Sequence, residues 1–154
     1  MSTYTDITKE DMINWKLSLI HLAELIKHDF HKELLAYLII QLFEYCLILS
    51  YLNVTVSKEI SKSSITIKYI HNYVNDTSLY STITSFTARR NDLCHKPLTE
   101  ITYKYLIELI TNDKFLVLLK RVVPDDLYIE LEETLSIVRS KINSCNKDIF
   151  MLQT

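Results

Sequence analysis

The run Arg90-Asn91-Asp92-Leu93-Cys94-His95 places a permanently charged phosphate clamp and a proton-transfer group within six residues. Arginine keeps its charge in proteins and offers a rigid fork to phosphate oxygens. Histidine gives or takes a proton near neutral pH. Together the two can break a phosphodiester with neither metal nor cofactor, and neither is expected here. An offset of five does not put two side chains on one face of a regular helix. Unwinding at a helix end would let both converge on one cavity. The sequence places such an end here, with Pro97 just beyond His95.

Other chemistry-bearing residues read less sharply. Cys94 beside His95 does not make a nucleophilic dyad, because adjacent side chains diverge; Cys94 reads as a small packing residue. His28 and His31 flank Asp29, but no second ligand cluster accompanies them, so they read as a solvated helix start. Residues 89–104 carry Arg89, Arg90, Lys96 and Lys104 against Asp92 and Glu100, a local excess of two positive charges in a chain of net charge −2. A patch of that size suits a few phosphates rather than a duplex.

The elements that must position these residues are helices. Glycine is absent from all 154 residues. Phosphate-binding P-loops, dinucleotide-binding fingerprints and nucleophile elbows all need glycine where the backbone turns tightly, so those enzyme classes are excluded. Tight glycine hairpins go with them, which argues against an all-β fold. The length fits one domain, and 48% hydrophobic with 23% charged residues is a globular balance. Three widely spaced cysteines, Cys46, Cys94 and Cys145, form no paired motif and are odd in number, which predicts free thiols in a reducing compartment. The polar opening MSTYTDITKEDM has no apolar leader region, and a cytoplasmic location is expected.

Met12, Trp15, Leu19, Leu22 and Ile26 recur at three and four, predicting a helix over 8–27 capped by Thr8. Residues 32–52 are almost continuously apolar: from Leu34 to Leu52 only Gln41, Glu44 and Ser50 interrupt. The length permits a membrane span, but Glu44 near its middle favours a central buried helix. Such a helix must be covered on every side, which suggests a partner chain. Tyr37, Tyr45 and Tyr51 on it read as core or interface. Residues 53–76 read as a loose excursion with a short helix, with strand-like alternation from Ile65 to Tyr69. A third main helix is expected over 77–93, with Leu79, Ile83, Phe86 and Leu93 inward and Lys96-Pro97 stopping it. A fourth opens at Leu98 or Thr99 and runs through Leu109, and a short one spans Asp113 to Val123. Pro124-Asp125-Asp126 starts a last helix that runs to about Asn146.

The hexapeptide, in an all-helical chain of this size, resembles the HEPN superfamily, whose signature is an arginine, usually four to six residues, then a histidine, often with a polar residue directly after the arginine. Arg90, Asn91 and His95 match that pattern. Glu44 resembles the acidic residue often found in the family's apolar second helix. The resemblance implies an up-and-down bundle of four to six helices that is homodimeric, with the motifs of two chains meeting in one cleft. It implies a metal-independent endoribonuclease, a hydrolase in which the ribose 2′-hydroxyl attacks its own phosphodiester and leaves a 2′,3′-cyclic phosphate. On that pattern His95 is the general acid or base, Arg90 stabilises the transition state, and Asn91 orients the phosphate or His95. Glu44 positions Arg90 by a buried pairing, Asp92 supports the site, and Arg89, Lys96 and Lys104 guide the RNA. Such nucleases often act as toxins of toxin–antitoxin pairs or as abortive-infection and defence effectors. One subset carries a tyrosine two residues after the histidine, the adenylylation target of its antitoxin. Here that position is Pro97, which puts this route of neutralisation, and the identity of any antitoxin partner, in question.

Plainer readings stand beside this one. Arg90 and Asp92 can be solvated residues at a helix end, with His95 a cap beside proline. A non-catalytic helical interaction or nucleotide-binding module of a larger defence or toxin–antitoxin complex suits the low net charge. A membrane-associated protein using residues 34–52 is the third reading.

Overall fold

The computed structural model describes residues 7–55 and 67–153, with side chains described for 7–53 and 67–144. The stretch 56–66 of the expected excursion, and the side chain of Cys145, lie outside the described residues. Among the described residues the chain forms α1 (Lys9–His28), α2 (Lys32–Thr55), α3 (Lys68–Val74), a 3₁₀ turn (Thr77–Leu79), α4 (Tyr80–His95), α5 (Glu100–Ile110), α6 (Asp113–Val122) and α7 (Asp125–Gln153), with no strand. The fold is all-α. Ile67 and Tyr69, expected to alternate as in a strand, instead lead into and lie on α3.

Helix ends in this chain must manage without glycine. α1, α4 and α6 stop at cap residues in extended conformation, Asp29, Lys96 and Val123. α3 stops at Asn75 in the left-handed region, φ 47° and ψ 44°. Asparagine tolerates that region better than other residues with a Cβ. Helix starts follow ordinary capping chemistry. Thr8 and Asp11 form a reciprocal capping box on α1. Thr99 and Thr102 do the same on α5, with threonine in the position usually held by Glu or Gln. The Asn112 side chain accepts from the Lys114 amide at 2.9 Å to open α6.

α2 is the central helix, packed against α1, α3, α4 and α6. Leu35, Leu38, Ile39, Leu42, Phe43, Tyr45, Cys46 and Ile48 are all buried along it. By length and composition Lys32–Asn53 would cross a membrane, yet most of it is packed inside the bundle. Of the three polar interruptions, Gln41 is only partly buried, and Ser50 and Glu44 have side-chain partners. The backbone carbonyl of Gln41 accepts from Trp15 Nε1 at 3.3 Å, tying α2 to α1. Buried Ser50 donates to the Cys46 carbonyl at 2.7 Å. Glu44 pairs with α4, described below. Of the three tyrosines, Tyr45 is buried, Tyr51 packs edge-on against Tyr69, and Tyr37 stands exposed.

α7 closes the bundle against α1. Lys27 near the end of α1 faces Glu130 at 2.8 Å, Glu133 at 3.3 Å and Glu24 at 3.2 Å. The hydrogen bond to Glu130 leads the effects that raise the Lys27 pKa and keep it charged.

Candidate active site on helix α4

α4 is positioned by an apolar stripe. Leu79, Ile83 and Phe86 recur at four and three and are buried against the core. The Phe86 ring meets Phe43 of α2 at 5.2 Å and Phe115 of α6 at 5.3 Å, both edge-to-face. Arg90 is the next residue on that stripe, one turn beyond Phe86. A cation on a core-facing stripe needs a counter-charge. Glu44 supplies it: its Oε1 accepts from Arg90 Nη2 across the α2–α4 interface. The two side chains keep only 16% and 26% of their exposure. The Arg90 guanidinium also lies over the Phe43 ring, 5.4 Å from its centre, and Nη1 donates to Asn91 Oδ1 at 3.2 Å. Arg90 Nε is buried and has no hydrogen-bond partner among the described residues. Glu44, Arg90 and Asn91 are therefore brought together as a unit.

His95 is placed elsewhere. α4 runs without unwinding to His95 and stops at Lys96, whose amide still donates to the Asp92 carbonyl at 2.9 Å. Pro97 restricts the residue directly before it, so the helix reaches two residues further than the 93 expected. Five residues of regular helix turn the side chain through a net of about 140°. Arg90 faces α2 while His95 is exposed, so one chain does not aim both at a common point. Cys94 is exposed as well and does not pack, contrary to expectation.

The supporting charges split into two groups. Asp92 bridges Lys96 at 3.1 Å and Arg89 at 3.8 Å along the outer face of α4. Arg89 also lies over the Tyr105 ring of α5, 4.4 Å from its centre. Lys104 is exposed on α5. The His28–His31 segment reads as expected: His31 Nε2 meets Asp29 Oδ2 at 3.0 Å on an exposed surface.

Between α4 and α5 runs a cleft of about 340 Å³, lined by Thr82, Ser85, Arg89, Tyr105, Glu108 and Asn112 among others. Apart from Arg89, none of these residues stands out in the sequence as functional. Their one available signal is Thr82, a polar residue among the buried positions of α4. Compared with known protein families, with curated proteins and with solved structures, the chain matches none.

Proposed function

We propose that the chain is a metal-independent endoribonuclease of the HEPN type, acting in the cytoplasm as a toxin or abortive-infection effector. The Glu44–Arg90 pair carries this reading. It holds a guanidinium partly buried and fixed in direction, with Asn91 on its second nitrogen. Each terminal nitrogen of Arg90 has two hydrogens, so each keeps one for a phosphate oxygen. A fixed guanidinium stabilises the charge that builds on a phosphorane-like transition state without having to be oriented at that moment.

The proton-transfer group is His95. Since Arg90 and His95 of one chain diverge around α4, the site is completed in a homodimer, where His95 of the partner subunit approaches Arg90. The exposed apolar side chains Leu98 and Ile101, just past His95, suit such a subunit contact. In the reaction the ribose 2′-oxygen loses its proton to a base and forms a bond to phosphorus. The bond from phosphorus to the 5′-oxygen breaks, and that oxygen takes a proton. The products are a 2′,3′-cyclic phosphate and a 5′-hydroxyl. Arg89, Lys96 and Lys104 contribute positive charge along the RNA path.

The second reading, a non-catalytic interaction module, draws on His95, which is exposed and has no side-chain partner among the described residues to orient it. Induced expression separates the two. The nuclease reading predicts growth arrest that both Arg90→Ala and His95→Ala relieve, and cleavage of single-stranded RNA by the purified chain in EDTA. Normal growth together with intact RNA overturns it.

A further inference from the structure

The cleft between α4 and α5 presents polar groups that the fold itself does not use. Thr84, Thr87, Thr111 and Thr134 each donate their hydroxyl to the carbonyl four residues back. Thr82 does not: it is only 4% exposed, lines the cleft, and its hydroxyl makes no hydrogen bond among the described residues. Its hydroxyl is not one of the buried unsatisfied atoms, which among the described residues are His71 Nε2 and Arg90 Nε, so it opens into the cleft, where a ligand can bond to it. Opposite it, the Tyr105 ring with Arg89 held 4.4 Å above its centre makes a flat, positively charged platform. Glu108, one turn beyond Tyr105, lines the same cleft with a carboxylate that forms no ion pair among the described residues. Asn112 Oδ1 is taken by the Lys114 amide, which leaves its amide nitrogen to donate.

We infer that this cleft binds one guanine nucleotide of a single-stranded RNA. Bases of single strands stack on aromatic rings and guanidinium planes and are read at their Watson–Crick edges. A carboxylate only accepts hydrogen bonds, so Glu108 selects an edge with two adjacent N–H groups. Guanine presents N1–H beside its amino group. Adenine and cytosine present an amino group beside an acceptor nitrogen, which repels a carboxylate. Uracil presents one N–H between two carbonyl oxygens. The volume of about 340 Å³ is at the small end for ligand sites and suits one base with part of its sugar. Arg89 and Arg90 diverge around α4, toward α5 and α2 respectively, so a strand seated here passes around the helix to reach Arg90. That path rests on the nuclease reading; the binding itself does not.

The test is fluorescence anisotropy on the full-length His95→Ala chain with labelled hexanucleotides, either all adenine or with one guanine. The guanine strand binds about tenfold tighter. Glu108→Gln removes that difference, and Thr82→Val weakens guanine binding several-fold while the thermal melt is retained. Equal binding of the two strands, or a preference unchanged in Glu108→Gln, overturns the assignment. Tighter binding of free GMP than of the guanine strand also overturns it as a strand subsite. Cleavage by the unsubstituted chain is read in parallel. Guanine preference without cleavage keeps the cleft and removes the nuclease reading, and cleavage without preference does the reverse.

Discussion

Arg90 on α4 and Glu44 on α2, forty-six residues apart in the chain, form an ion pair across the helix interface, with the guanidinium lying against Phe43. Both charges occupy positions that the helical period assigns to the core side. Removing Glu44 takes this counter-charge from the partly buried Arg90 guanidinium. Glu44→Gln is therefore expected to destabilise the fold by about 2 kcal/mol, a value between those of buried and exposed pairs. The double substitution Glu44→Leu with Arg90→Met recovers most of that loss. A double-mutant cycle built from Glu44→Leu, Arg90→Met and the pair together, by urea denaturation, measures the coupling, and additive losses would mean the pair is not energetically joined.

The aromatic contacts of Phe86 give α4 its position. Phe86 is 1% exposed and meets Phe43 and Phe115 edge-to-face. Phe86→Ala is expected to cost about 3–5 kcal/mol in equilibrium unfolding. It also releases α4, so Arg90 loses its alignment with Glu44.

Acid sensitivity has an identifiable source. Asp76 accepts from the Ser78 hydroxyl at 2.6 Å and the Ser78 amide at 3.0 Å, and it pairs with Arg121 at 3.2 Å. The Ser78 hydroxyl leads the effects that lower its pKa below the ordinary 3.8. A carboxylate whose folded pKa is depressed contributes stability above its unfolded value and loses it as pH falls through the folded one. Asp76→Asn is thus expected to melt at a lower temperature than the unsubstituted chain at pH 7. The gap should close as the pH drops below about 3.8 and through the lower folded value. Melting curves at neutral and strongly acidic pH check this, and a gap independent of pH would contradict it.

The described thiols differ in access. Burial pushes the Cys46 thiol up to about 12, whereas Cys94 is exposed. A thiol reagent at pH 8 should label Cys94 in the folded protein and Cys46 only after unfolding, as read by peptide mass spectrometry. Labelling of native Cys46 at the rate of Cys94 would show that α2 is not the packed centre of the bundle.

The helices were legible because their apolar residues recur at three and four. Leu19, Leu22 and Ile26, and likewise Leu79, Ile83 and Phe86, fall on buried faces as the period requires. The Glu44–Arg90 pairing followed from the family resemblance alone; that Arg90 continues the core-facing stripe of α4, and so needs Glu44, emerges only from the packed helices. The end of α4 was misplaced by two residues because proline constrains Lys96 and leaves His95 helical. Cys94 was misread as packed because its apolar character carries no direction without the helix phase. The α4–α5 cleft was not legible, because Ser85, Glu108 and Asn112 come together only when two helices pack, and none is unusual in its own segment.

The role of His95 is the most exposed point of the nuclease reading, and it can be measured directly. His95 lies on the surface, so His95→Ala should leave the melting temperature unchanged. Initial rates of cleavage of a defined single-stranded RNA in EDTA are compared for the unsubstituted chain and His95→Ala, with the new ends identified. The expected result is a fall of at least about a hundredfold, with 2′,3′-cyclic phosphate ends from the unsubstituted chain. Equal rates for the two proteins, or RNA left whole by both, would contradict it.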